Sequence, residues 1–579
     1  MIVNNLIVNN IFLKIWKHLS LKKKVQFCCL LVIIIFASFL EAISIGALVP
    51  FLTIISKKDF TFNINFGIFS SVLSNIDNED KLFIYTLVFA AAAVISTIVR
   101  ILMIWFQTKI TFECGAELSE KIYDIILNQP LNLHLTRSSS DIISLVTLKT
   151  NAIVHNGLYP SAVIFSSLCI AGTIFSFLFL ISPVYTIVTS LFILVIYIIL
   201  AYSVKNLLNK DSLIISNLSV KQIQLIQEGI GGIRDILISG TQSIYVKLYA
   251  QSDRNLKSAY SRQLVISSIP RYILEGTALT LIVIFSYTVL VNSSNDNTSL
   301  IVVLGVMAFS AQRTLPIIQQ TYSSWVAVSS GRESILEALE FINNKNKIKR
   351  DINNSTLNFN NSIECKNISF RYEKSGNYIL SNISLLINKG DSIGIVGKTG
   401  GGKSTLFDIL MGLLPPTQGK LFIDNTEIDS ENVLSWQKNI SHVPQFIYLS
   451  NYSIAENIAF GINKNEINHD TLNKVIEQSQ LKELIEILPS GVNTLIGERG
   501  VNLSGGQRQR IGIARALYSN KNILFFDEAT SALDTETENL IIKCIEDIEP
   551  KITLIMITHR ISTLKNCNKI INLNNKIIE

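Results

Sequence analysis

Apolar residues run almost unbroken through long stretches of the first 330 positions of this 579-residue chain, then give way to short alternating blocks. Crossing a hydrocarbon layer of about 30 Å takes about 20 apolar residues in helical form. Six segments meet that length, near 25–52, 81–107, 157–181, 184–205, 270–292 and 299–323. Only Ser182 and Pro183 separate the third from the fourth, which predicts a tight hairpin. The connections at about 108–156 and 206–269 are long, charged and helical in pattern. The crossing helices therefore continue past the membrane and turn back beyond it. Residues 60–76 fit either a short amphipathic helix or an ordered loop at the opposite surface.

An even number of crossings leaves both chain ends on one side. Lys14, Lys17, Lys22, Lys23 and Lys24 stand just before the first segment, whereas Val291 to Ser299 contains no Lys or Arg. That bias places the termini and the long connections in the cytoplasm. The first apolar run is too long for a cleavable signal and lacks a small-residue cleavage site, so it is expected to stay as an anchor.

Composition sharpens the division. Hydrophobic residues make up 48% of the chain and charged ones 16%, against about 25% charged in soluble domains. The net charge of +6 follows from the lysines beside apolar segments and calls for no nucleic acid. Seven cysteines, including the neighbours Cys28 and Cys29, show no disulfide or metal spacing and read as small hydrophobes. The polar stretch Asn343 to Ser355 marks a linker, giving a membrane domain over 1–342, a linker over 343–361 and a second domain over 362–579. In that last part strand-like and helical runs alternate, the pattern of a parallel α/β core.

The chemistry gathers in the second domain. SIGIVGKTGGGKST reads as buried strand, glycine loop and helix start, with Gly397, Lys398, Thr399, Gly400, Gly401 and Gly402 forming the loop. Glycines let backbone N–H groups turn inward around phosphate oxygens, and a helix N-terminus adds positive potential. Lys403 is placed to reach the outer phosphates, Ser404 to ligate Mg²⁺, and Thr405 completes the motif. In ILFFDEATSALD, Asp527 ends a buried strand as a second Mg²⁺ group, and Glu528 follows it as general base for an attacking water. His559, after the strand-like run Thr553 to Thr558, can contact the γ-phosphate and orient Glu528. Gln445, in HVPQ, can ligate Mg²⁺ and sense the bound state.

Tyr372, the glycine loop, Gln445, GERG (Gly497 to Gly500), LSGGQRQR, FFDEATSALD and His559 occur in the order and spacing of ABC ATPases, which this half resembles. With six crossings ahead of it, the whole chain resembles an ABC exporter half-transporter. The fold class this implies is an all-α six-helix transmembrane domain plus an α/β P-loop NTPase domain. The resemblance implies that Tyr372 stacks on adenine. It also implies that Ser504, Gly505, Gly506 and Gln507 grip ATP bound by a second copy, with Asp534 connecting the two sites. All catalytic positions are filled, so a homodimer with two competent sites is expected. By the same resemblance the cytoplasmic tips near Ser138 to Val146 and Ser239 to Ala250 dock on the ATPase.

Ionisable residues inside apolar segments are costly, about 2.5–3.5 kcal/mol each on insertion scales, and mark cavities or partners. The set here is Glu41, Arg100, Arg271, Glu275 and Arg313. The three arginines fall in the inner part of the membrane and can make a cationic patch on a cavity. Competing readings are an i, i+4 pair between Arg271 and Glu275, and snorkelling of Arg100. SFLEAISIGALVPFLTIIS, IPRYILEGTAL, AQRTLP and the segment with Arg100 resemble the bacterial lipid-linked oligosaccharide flippases and polysaccharide exporters. In that group the arginines matching Arg100, Arg271 and Arg313 engage a polyprenyl pyrophosphate. The expected setting is the bacterial cytoplasmic membrane, with ATP, Mg²⁺, membrane lipids and an amphipathic cargo as partners and no nucleic acid. An exporter of peptides, lipids or drugs, or a membrane-bound ATP-dependent sensor, are the alternative readings.

Overall fold

The computed structural model describes residues 11–55, 78–181, 183–292, 297–343, 357–372, 376–497 and 500–578, apart from 502, 531, 549–550, 559, 561–563, 566 and 574–576 in the last stretch. The chain folds as two compact units, Met1–Asn128 with Arg137–Lys345, and Gln129–Thr136 with Asn346–Glu579.

The first unit is built on long helices: α1 (Leu21–Ile55), α2 (Asn78–Leu127), α3 (Tyr159–Ile181), α4 (Pro183–Gly231), α5 (Gln242–Asn292) and α6 (Asn297–Ser330). Among the described residues, four stretches are long and apolar enough to cross a membrane: Leu21–Phe51, Leu82–Leu127, Ser139–Leu180 and Thr186–Gly231. The fifth and sixth expected segments lie within α5 and α6, part of whose side chains falls outside the described set. The expected segment 60–76, most of the linker and the Ser182 side of the hairpin also lie outside it. Only 6% of the apolar window of Thr186–Gly231 is buried, so that surface must face lipid or another chain.

Inside the unit, α1 and α2 pack along a core of Leu30, Ile34, Leu118 and Ile122. The helix Arg332–Asn343 joins it through Ile335, Ala338, Leu339 and Ile342, a spacing that puts all four on one face. The helical run leading into α3 contains two π turns, Leu145–Lys149 and Ile153–Leu158. In this run Lys149 pairs with Glu337, which also accepts from Ser216 at 2.8 Å.

The connections between helices depart from expectation. Neither Ser138 to Val146 nor Ser239 to Ala250 is grouped with the second unit. Ser138 caps the helix Ser139–Ser144 within the first unit, its hydroxyl accepting from the Asp141 N–H. It is Gln129–Thr136 that belongs to the second unit, where Leu131 packs, partly buried, against the core that holds Ile395 and Phe407. The resemblance placed the first tip at Ser138 to Val146, whereas the break falls earlier, at Pro130, which a continuing helix tolerates poorly. The second turn is made by Gly240, left-handed at φ +65°, and Thr241. Around it Leu237, Ile238, Ile244 and Val246 are exposed.

The second unit holds two sheets. An antiparallel one has the order β2-β1-β4-β5, from β1 (Ser362–Phe370), β2 (Leu380–Asn388), β4 (Gln418–Ile423) and β5 (Thr426–Glu427). The other has the order β10-β9-β3-β8-β7-β6, from β3 (Ser392–Val396), β6 (Ile440–Val443), β7 (Ile523–Asp527), β8 (Thr553–Ile557), β9 (Lys569–Asn572) and β10 (Ile577–Ile578). Its strands β6 to β9 run parallel to β3 through a continuous ladder. The runs Ser392–Val396 and Ile523–Asp527 carry no alternation because both sheet faces are covered. Two cores result, one around Ile395, Phe407, Trp436 and Phe525, the other around Ile454, Leu472, Ile511 and Ile541.

Candidate functional site: the nucleotide loop and a charged cluster in the helices

β3 delivers Gly397 at the carboxyl end of the parallel sheet, and the helix Lys403–Leu410 begins six residues later. Two loop positions need glycine. Gly400 stands at φ +79° and Gly402 at φ +85°. A Cβ at Gly402 would lie 2.8 Å from Leu380 Cδ2 and 3.0 Å from Ile379 Cγ2. Lys403 is buried, and its Nζ donates to the carbonyls of Gly397 at 2.8 Å and Lys398 at 3.2 Å. The ammonium is thus held at the centre of the loop, where it can exchange those carbonyls for phosphate oxygens.

β7 carries Asp527 to the same end of the sheet, its register fixed by pairing with Ile557 of β8. Burial raises the Asp527 carboxyl above the ordinary aspartate range and the neighbouring Glu528 charge adds to this, while Lys403 and the Ser404 hydroxyl oppose it. Ser404 and Asp527 therefore form one oxygen-donor pair beside the loop. Glu528 follows at φ +47°, a conformation costly for a residue with a Cβ. Its N–H donates to Ile557 at 3.0 Å, and its Oε2 accepts from Gln445 Nε2 at 2.7 Å. Gln445 arrives from the end of β6, next to β7 in the sheet. Three segments far apart in sequence thus converge on the loop.

Tyr372 is 52% exposed, with its hydroxyl 3.2 Å from Thr405 Oγ1 and its ring edge-on to Phe370 at 5.0 Å. That leaves an accessible aromatic face beside the loop. His559 lies outside the described residues, as do Glu498 and Arg499 of GERG.

The LSGGQ segment is shaped by its helix. Ser504 caps Gly505–Tyr518 in a reciprocal capping box, with Gln507 N–H donating to Ser504 Oγ at 3.2 Å and Ser504 N–H to Gln507 Oε1 at 2.8 Å. Among the described residues each of these side chains accepts from the other residue's backbone N–H and not from the nucleotide loop. A Cβ at Gly506 would lie 3.0 Å from the Ala532 carbonyl, so the motif packs on the segment leading to Asp534. Asp534 caps the helix Thr535–Glu546, and the Thr537 N–H, then its hydroxyl, hold the carboxyl below the usual range.

Two groups here escaped the sequence reading. Glu538, 1% exposed, accepts from Arg560 Nη1 at 2.6 Å and Thr530 Oγ1 at 2.7 Å, and Arg560 also donates to the Leu533 carbonyl at 3.0 Å. This network pins the segment between Glu528 and Asp534. Asp408, on the loop helix, has its carboxyl pushed up to about 6 by burial and by Asp527. No local pattern signals either, because both depend on contacts across the fold.

In the first unit Arg313 Nη1 lies 2.8 Å and Arg100 Nη1 3.6 Å from Glu41 Oε1, while Ser96 Oγ donates to Glu41 Oε2 at 2.7 Å. Two of the three expected arginines therefore come together, on a carboxylate supplied by another helix. Arg271 does not join them. It is paired with Glu275 at 2.7 Å, both side chains about half exposed.

The family model for the ABC transporter ATP-binding region matches residues 380–531, and that for the ABC transporter transmembrane region matches 25–316, half of the chain. The chain belongs to the ABC transporter family. This transporter is 29% identical over 576 residues to the heterocyst differentiation ATP-binding protein HepA of Nostoc, a match covering 97% of this chain and 91% of that protein. It is 46% identical over 219 residues to the alpha-hemolysin translocation ATP-binding protein HlyB of Escherichia coli O157:H7, covering 37% of this chain and 30% of HlyB. It is also 41% identical over 216 residues to an ATP-dependent lipid A-core flippase of Pseudoalteromonas translucida. That match covers 37% of each chain, so the transporter aligns with about a third of the length of these two relatives. In fold it is similar to a bacterial Atm1-family ABC exporter solved with ATP bound, with a TM-score of 0.77 at 21% identity over 94% of this chain and 93% of that one.

The donor set fits the magnesium of such nucleotide sites. Hydroxyl, carboxylate and amide oxygens from Ser404, Asp527 and Gln445 are hard ligands, and magnesium characteristically takes few protein oxygens with the rest from phosphates and water. Among the described residues no cluster of three or more His, Cys, Asp or Glu offers a dedicated metal cage.

Proposed function

We propose that this chain is an ATP-driven exporter acting as a homodimer in the bacterial cytoplasmic membrane, and that its cargo is a lipid-linked oligosaccharide or polysaccharide precursor. The observation that carries the ATPase reading is the convergence of Lys403, Asp527, Glu528 and Gln445 at one end of a parallel sheet. Lys403 neutralises the outer phosphates, and Tyr372 offers its open ring to the base. Glu528 is held by Gln445 where it can accept a proton from an attacking water, the general-base role. Ser404, Asp527 and Gln445 are the residues for Mg²⁺, which supplies charge neutralisation at the β- and γ-phosphates. His559 is assigned to the γ-phosphate. Ser504, exposed, and Gly505, Gly506 and Gln507, half-buried, form a pre-shaped helix start that completes a site only when a second copy presents it. Asp534 then links the two sites.

The cargo reading rests on the arginines. Arg100 and Arg313 concentrate positive charge inside the apolar unit, and guanidinium pairs well with phosphate oxygens. Arg271 stays in the proposal as a peripheral contact, since its partner Glu275 is as exposed as it is. A flippase for lipid A-core among the relatives is in keeping with an amphipathic cargo. Purified protein in nanodiscs should show ATPase stimulation by polyprenyl-pyrophosphate sugars above that by peptides or dyes. A flat response across these would instead favour an exporter of peptides, lipids or drugs.

A further inference from the structure

Three helices bring charged groups to one buried point: Glu41 from α1, Ser96 and Arg100 from α2, and Arg313 from α6. Glu41 is 2% exposed and both its oxygens are occupied, Oε1 by the two guanidinium groups and Oε2 by Ser96. The arginine side chains remain 30% and 24% exposed. Arg313 lies over the Phe309 ring at 5.4 Å, and Arg100 lines a narrow cleft of about 20 Å³ whose mixed wall includes Gln107, Tyr159, Ser167 and Gln320 beside Met103 and Ile317.

The charge count is uneven. A structural ion pair in an apolar surrounding needs one arginine for one carboxylate, and an additional cation there is costly unless an anion completes it. Among the described residues Glu41 is the one acid paired with either arginine. The cluster therefore has one positive charge in excess, carried by two partly exposed guanidinium groups of which Arg100 also lines the cleft.

We propose that Glu41 is the resident counter-ion of an anion-binding site, the group with which an incoming phosphate head group competes for Arg100 and Arg313. In the unloaded chain it holds the two guanidinium groups together. When phosphate arrives, Glu41 stays as a like charge beside it, weakening the grip and speeding release. Glu41 is thus a positioning residue that sets affinity against turnover. This rests on the cargo reading of Arg100 and Arg313 given above.

The test compares wild type, Glu41→Gln, Glu41→Asp and the Arg100→Ala/Arg313→Ala pair in nanodiscs, reading ATPase stimulation against ligand concentration. The ligands are a polyprenyl-pyrophosphate sugar, the polyprenyl monophosphate, the uncharged polyprenol and inorganic pyrophosphate. Glu41→Gln keeps the side-chain volume and the Ser96 acceptor but removes the charge. At partly exposed separations one unit charge alters binding by about tenfold or more. Half-maximal stimulation by both phosphate lipids should fall by about that factor, the maximal rate should drop, and polyprenol should respond as in wild type. Glu41→Asp should restore wild-type behaviour. Inorganic pyrophosphate competing with the same gain in Glu41→Gln supports the site as one for the phosphate group alone. A gain confined to the lipid forms supports the lipid head group as its source.

Unchanged half-maximal concentrations in Glu41→Gln, an equal shift for polyprenol, or a weaker response with a lowered melting temperature would each overturn the counter-ion role. If the double arginine variant responds to phosphate lipids as wild type does, the cargo reading itself fails. Loss of response in that variant beside a wild-type Glu41→Gln defeats the counter-ion role alone.

Discussion

Glu528→Gln separates chemistry from structure at the nucleotide loop. The two side chains share shape, and the strained backbone at φ +47° is the same for both. The bond to Gln445, 2.7 Å in wild type, survives because the glutamine carbonyl still accepts from Nε2. Folding stability should therefore move by no more than about 0.5 kcal/mol, as for surface changes that remove no cap, cavity or buried partner. Turnover is different. Positioned general bases contribute about 10²–10⁴-fold, or about 2.7–5.5 kcal/mol of barrier. The assay is steady-state ATPase with thermal unfolding on the same preparation, followed by equilibrium binding of ATP and by size analysis with and without it. Expected are a kcat loss of at least about a hundredfold, retained ATP binding and an ATP-stabilised dimer. A kcat within tenfold of wild type would refute the reasoning, as would a melting temperature that falls in step with activity.

Gly402→Ala forces a side chain into a left-handed position 2.8 Å from Leu380. It should cost about 2–4 kcal/mol of stability in the ATPase unit and weaken ATP binding, read by calorimetric titration. Arg560→Ala removes one charged partner of the buried Glu538. About 2–3 kcal/mol should be lost, below the usual buried-pair range because the guanidinium side chain is 35% exposed. Adding Glu538→Gln should recover part of it in a denaturation cycle. His442, on β6, has its imidazole pushed down to about 4 by burial. The folded unit thus binds fewer protons than the unfolded chain below the ordinary histidine value of 6.5, so stability is present above 6.5 and is lost as pH falls toward 4. Chemical denaturation of the whole protein should show an acid limb of up to about 3 kcal/mol, reduced in His442→Phe; an unchanged limb would count against this account.

Much was legible in the chain itself. Apolar run length is a local property, so the long helices of the first unit follow from it. The glycine loop is equally local, because positive φ at Gly400 and Gly402 and the helix start at Lys403 are written in neighbouring residues. Order of motifs along the chain then pointed to the family. Partners were another matter. Arg313 has no acid within a helical turn, yet meets Glu41, 272 positions away in sequence. Arg271, equally cationic in sequence, found its own i, i+4 acid and stayed apart. The Glu528 to Gln445 bond, the Asp408 to Asp527 proximity and the Arg560 to Glu538 network likewise depend on strand order and helix packing. The transfer of Gln129–Thr136 to the second unit was also invisible in sequence. Helix formation and loop conformation are fixed by adjacent residues. Which charge neutralises which is settled only when packing removes water and leaves each buried ion the neighbours that the fold supplies.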